Sequence, residues 1–78
     1  MDRNEAVNYL KDLLKNCNDL SPEALSFENP QTGEYNGYCV RIKGAILEAD
    51  IIKVKELAKK HNLIVKEEKG QVLIFSPK

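Results

Sequence analysis

Leu63-Ile64-Val65-Lys66-Glu67-Glu68-Lys69-Gly70-Gln71-Val72-Leu73-Ile74-Phe75 is the stretch that decides the fold. Two apolar runs rich in β-branched residues flank a charged segment that ends in glycine, which is a hairpin pattern. The first run reads as a strand over Leu63–Lys66, the turn as Glu67–Gly70, and the second strand as Val72–Phe75. Side chains alternate between the two faces of a strand. Leu63, Val65, Val72 and Ile74 therefore share one face, and Ile64, Leu73 and Phe75 share the other. A strand that is apolar on both faces belongs inside a sheet rather than at its edge.

Working back from the hairpin, Leu47, Ile51, Val54 and Ala58 recur at helical spacing, joined by Leu57. This predicts a helix that starts between Leu47 and Asp50, with Asp50 as its cap. Lys59-Lys60-His61 sets positive charge against the helix's negative end, and Asn62 suits the left-handed position just after it. Gly44 separates this helix from a strand over Tyr38–Lys43. There Tyr38, Val40 and Ile42 point one way and Cys39, Arg41 and Lys43 the other. Leu25-Ser26-Phe27-Glu28 alternates as well, so a strand is expected near 24–29. Ser21-Pro22-Glu23 suits one helical turn before it. Asn29-Pro30-Gln31-Thr32-Gly33 reads as a turn.

At the front of the chain, Asp2 and Glu5 form a capping-box pair. Ala6, Leu10, Leu13 and Cys17 follow on one helical stripe, flanked by Tyr9 and Leu14. Asn16-Cys17-Asn18-Asp19 ends that helix. The element order is αββαββ. The expected fold is α+β, a two-layer sandwich with both helices on one face of a four-stranded antiparallel sheet. Strands one and three carry polar ends, which places them at the edges and gives the order 1-2-4-3.

The two helices resemble each other. Leu10-Lys11-Asp12-Leu13-Leu14-Lys15-Asn16-Cys17-Asn18 lies over Val54-Lys55-Glu56-Leu57-Ala58-Lys59-Lys60-His61-Asn62. Residues 1–44 and 45–78 thus read as one helix–strand–strand unit written twice. The shared grammar of amphipathic helices accounts for such a match as well.

The chain has 78 residues, enough for a single domain. Apolar residues make up 42% and charged residues 31%, a globular profile. Twelve Lys+Arg balance twelve Asp+Glu, which argues against a generic polyanion binder. The balance conceals a split. Residues 1–37 hold three cations against seven acids, or −4, and residues 38–78 hold nine against five, or +4. No apolar run nears the ~18–20 residues needed to cross a bilayer. With no secretory leader pattern and no glycosylation acceptor, a cytoplasmic setting is expected and no membrane partner. Cys17 and Cys39 match neither metal nor redox spacing and read as buried small hydrophobes.

Chemistry has little support. His61 stands alone at a helix end. Glu67 and Glu68 are adjacent on a strand and point to opposite faces, so they form no carboxylate dyad. Gly33, Gly37, Gly44 and Gly70 are scattered turn glycines, not a phosphate loop. No catalytic residue, cofactor or metal is expected. The candidate site is instead the sheet face turned away from the helices. Ile64, Leu73 and Phe75 would lie there among Arg41, Lys43 and Lys66, next to Cys39. An uncovered apolar patch of this kind marks an interface. The expected function is a non-enzymatic protein-interaction or self-association module, with a second copy or another protein as partner. The alternative is a nucleic-acid-binding regulator in which Phe75 and Tyr35 stack bases while Arg41, Lys43 and Lys66 hold phosphates. The missing aromatic-glycine signature makes that the weaker reading. Ile52, opposite the inner stripe, hints at a second contact surface.

Overall fold

The computed structural model describes residues 1–17, 20–29, 37–44 and 46–76. The turn residues 30–33, the helix end at 18–19, Tyr35, and the stop at 77–78 lie outside them. Helix α1 spans Arg3–Asn16. The Asp2 carboxylate accepts from the Glu5 amide at 2.8 Å, and the Glu5 carboxylate accepts from the Asp2 amide at 3.2 Å. This is the reciprocal cap the sequence predicts. Ala6, Tyr9, Leu13 and Cys17 are buried, Leu10 is half-buried and Leu14 is exposed. Tyr9, expected on the flank, is central because it reaches the second helix. Its hydroxyl donates to the Val54 carbonyl oxygen at 2.9 Å.

A short 3-10 turn at Pro22–Ala24, capped by the Ser21 hydroxyl, leads into β1, Leu25–Glu28. Strand β2 is Cys39–Lys43, and α2 is Glu48–Lys60. The helix starts earlier than the expected cap at Asp50. Leu47 is the cap residue, and its carbonyl accepts from the Asp50 and Ile51 amides at 2.9 and 3.0 Å. Asp50 becomes the third helical residue, buried, where the positive end of α2 favours its charge. The extended backbone at Leu47 takes its side chain off the inner stripe and leaves it 60% exposed. At the other end Asn62 is left-handed, with φ 59°. The Asn62 and Leu63 amides donate to the Lys59 and Ala58 carbonyls at 3.1 and 2.7 Å, a Schellman closure.

Strand β3 is Ile64–Glu68 and β4 is Gln71–Phe75. The third strand is longer than the sequence suggests. Glu67 and Glu68 pair with Val72 and Gln71, so the turn narrows to Lys69 and Gly70. Gly70 takes a positive φ (80°) at the second turn position, which glycine adopts without steric cost. The four strands form one antiparallel sheet in the order β1-β2-β4-β3.

Ala6, Tyr9 and Leu13 from α1 share one core cluster with Val54 and Ala58 from α2. Val40, Ile42, Val72 and Ile74, from one face of the sheet, complete it. Met1 joins this core, and its carbonyl accepts from the Tyr38 amide at 2.7 Å. Gly37 lies against Met1 with φ 81°, and a Cβ there would sit 2.4 Å from the Met1 carbonyl oxygen.

Two stability predictions follow from these contacts. Gly37→Ala is expected to destabilise the fold by at least ~2 kcal/mol in chemical denaturation, because strain and collision add. Tyr9→Phe is expected to keep the fold and to lose about 1 kcal/mol, the net worth of one buried hydrogen bond.

Candidate interaction surface

The register sorts the sheet's residues into two faces. Phe27, Val40, Ile74 and Val65 form one row on the core side, and Leu25, Ile42, Val72 and Glu67 form the next. Lys55 of α2 lies 3.4 Å from Glu67, consistent with α2 lying over this side. The outer face reads Glu28, Cys39, Phe75, Ile64 in one row and Ser26, Arg41, Leu73, Lys66 in the next. Lys43, Gln71 and Glu68 complete it. The six candidate residues, Ile64, Leu73, Phe75, Arg41, Lys43 and Lys66, are therefore brought onto one face.

They are not equally available on it. Leu73 is only 4% exposed and Cys39 only 1%, although neither belongs to the helix-side core. Phe75 is half-buried. Ile64, on the edge strand, is 43% exposed. The accessible apolar surface thus lies toward β3, with Lys66 beside it. Arg41 is committed: its Nη2 lies 2.7 Å from Glu28 Oε1. The contact is ionic rather than an aligned hydrogen bond. Glu28 Oε1 and Arg41 Nε are closed off from solvent without a hydrogen-bond partner among the described residues. A half-exposed pair of this kind contributes at most ~1 kcal/mol. Its larger effect is to neutralise Arg41. Lys43 and Lys66 are exposed and have no ion-pair partner among the described residues.

Both thiols are inert by environment. Burial, then Asp50, raises the Cys17 thiol pKa, with Lys53 opposing. Burial, then Glu28, raises that of Cys39. A raised pKa leaves little thiolate for nucleophilic or redox chemistry. Among the described residues no group of three or more His, Cys, Asp and Glu is placed to hold a metal ion. Nor does any helix among them have the length and apolarity to cross a membrane. A cleft of about 360 Å³ opens beside Gly44, lined by Ile46, Ile51, Glu67, Glu68 and Gln71 among others.

His61 has a partner that the sequence does not announce. Its Nε2 lies 2.8 Å from Asp12 Oδ2 on α1, and its ring meets Tyr9 edge to face at 5.6 Å. Burial pushes the Tyr9 hydroxyl far above its ordinary pKa, with Cys17 adding to the shift, so it remains a donor to Val54. Lys53 Nζ donates to the Asn16 carbonyl at 2.8 Å and closes the end of α1. These contacts join the helices. Each of the polar groups in them already has a structural partner.

No family model, curated protein or solved structure matches this chain.

The Asp12 carboxyl titrates below its ordinary value of 3.8, chiefly through the hydrogen bond with His61, with Lys60 and Lys15 assisting. A depressed carboxylate contributes stability that is present above the ordinary value and lost as pH falls through the depressed one. In acid denaturation the stability difference between wild type and Asp12→Asn is therefore expected to shrink as pH falls below about 4. Carboxyl NMR should show Asp12 titrating below 3.8.

Proposed function

We propose that this chain is a non-enzymatic interaction domain that self-associates, or binds another protein, through the outer face of its sheet on the β3–β4 side. The observation that carries the reading is Ile64. It is a large apolar side chain, exposed on an edge strand, and it adjoins half-buried Phe75 in the same row. Covering Ile64 removes apolar area from water at roughly 25 cal/mol per Å², while the neighbouring Lys66 and Glu68 supply a polar rim. The burial of Leu73 and Cys39 narrows the surface from the whole outer face to this side.

The competing nucleic-acid reading loses its strongest group, since Arg41 is held by Glu28 and only Lys43 and Lys66 remain for phosphates.

Light scattering at increasing concentration tests the proposal. The wild type should form a dimer or larger species, or capture a partner in a pull-down. Phe75→Asp and Ile64→Asp, confirmed as folded by circular dichroism, should each lose that association. A wild type that stays monomeric and recovers no partner would refute the reading. Salt-sensitive oligonucleotide binding that depends on Lys43 and Lys66 would replace it with the nucleic-acid alternative.

A further inference from the structure

The self-association reading leaves open how a second copy is held, and the outer edge of β3 supplies a specific answer. β3 is the last strand in the order β1-β2-β4-β3, so among the described residues β4 is its only strand neighbour and its other backbone edge has no strand paired to it. Charges on an edge strand ordinarily discourage a second strand from joining. Here their order makes the edge complementary to itself. Glu67 has Lys66 on one side and Glu68 on the other. Directly opposed residues in an antiparallel pair share a face. If two copies of this strand run antiparallel about Glu67, each Lys66 stands across from the other chain's Glu68, twice, on the outer face.

We propose that β3 pairs edge to edge with β3 of a second copy, antiparallel about Glu67, giving one continuous eight-stranded sheet. This rests on the self-association reading and deepens it by naming the occupant and the register.

Three features of the single chain fit this pairing. The central Glu67 residues meet on the helix side, where like charges would repel, but each already has Lys55 of its own α2 at 3.4 Å. Lys55, Lys66, Glu67 and Glu68 sum to zero in each copy, and Lys69, which stands across from Val65 in this register, leaves a single excess cation per copy at the rim of the seam. Ile64 comes to lie across from Gly70 of the second copy. A Cβ at Gly70 would meet nothing within 4 Å, so there is room for the isoleucine side chain. Registers shifted by one residue put inner-facing residues opposite outer-facing ones. Of the other face-preserving registers, that about Lys66 sets the two lysines against each other, that about Glu68 the two glutamates, and that about Val65 forms no opposite-charge pair. Two-fold symmetry makes every contact occur twice, which is how a short patch becomes an adequate one.

Charge exchange tests the register. Sedimentation equilibrium is run on the wild type, Lys66→Glu, Glu68→Lys and the double exchange Lys66→Glu/Glu68→Lys. Both substituted positions are exposed, and thermal melts confirm folding. Each single reversal converts two opposite-charge pairs into two like-charge pairs and should weaken dimerisation by about tenfold or more. The double exchange should restore it. Association that is unchanged by either reversal, but abolished by Phe75→Asp, overturns edge pairing and leaves face-mediated association standing. A wild type that is monomeric at every concentration overturns both. Reversals that weaken association without rescue by the double exchange overturn the register.

Discussion

The seam between β2 and β4 is the constraint on which the rest of the structure depends. These strands come from opposite halves of the chain, and every residue from Cys39 to Lys43 is matched by one from Phe75 back to Gln71. The register fixes two faces at once. It sets Val40 against Ile74 and Ile42 against Val72 on the side where both helices contribute to the core. It sets Cys39 against Phe75 and Arg41 against Leu73 on the other. A slip of one residue would exchange the faces and bring Arg41 into the core, which burial of an unpaired charge forbids. The alternation in β2, with Arg41 and Lys43 on one face and Val40 and Ile42 on the other, therefore specifies the pairing.

The helix layer is joined by contacts of a different kind. Tyr9 to Val54, Asp12 to His61 and Lys53 to Asn16 run between α1 and α2 from side chains that alternate with the apolar stripe. Area burial holds the helices on the sheet without fixing their mutual position, because apolar contact is non-directional. Hydrogen bonds at the helix ends and from Tyr9 supply the direction. In a chain this short, with a small core, such links bear a larger share of the stability than they would in a larger domain.

The reach of the sequence was set by whether a feature is local. The capping box at Asp2 and Glu5, the left-handed Asn62 and the glycine turn at Gly70 each depend on a few consecutive residues, and all are as expected. The strand order was also legible, because polar edges and an apolar centre leave a signature in composition. The start of α2 was not, since nothing in Leu47 marks a cap and Asp50 is an equally good first-turn residue. The site was half legible. Alternation put Ile64, Leu73, Phe75, Arg41, Lys43 and Lys66 on one face. It could not show that Leu73 and Cys39 are buried there, or that Glu28 holds Arg41. These depend on neighbours across strands. Asp12 and His61 are 49 residues apart and meet only through helix packing.

The same seam sets the order in which the molecule can be assembled. Ile64 to Phe75 spans a local hairpin, whereas Cys39 meets Phe75 only after an entire helix and another strand have been laid down. Local contacts form quickly, and distant ones must first offset the entropy of closing a long loop. The β3–β4 hairpin and the helices are thus suited to form early. Closure of β2 onto β4, which spans the second helix and β3, is expected to follow them. Until it occurs, both strands carry unsatisfied edges. The interval before seam closure is therefore when the chain is most exposed to joining the wrong neighbour.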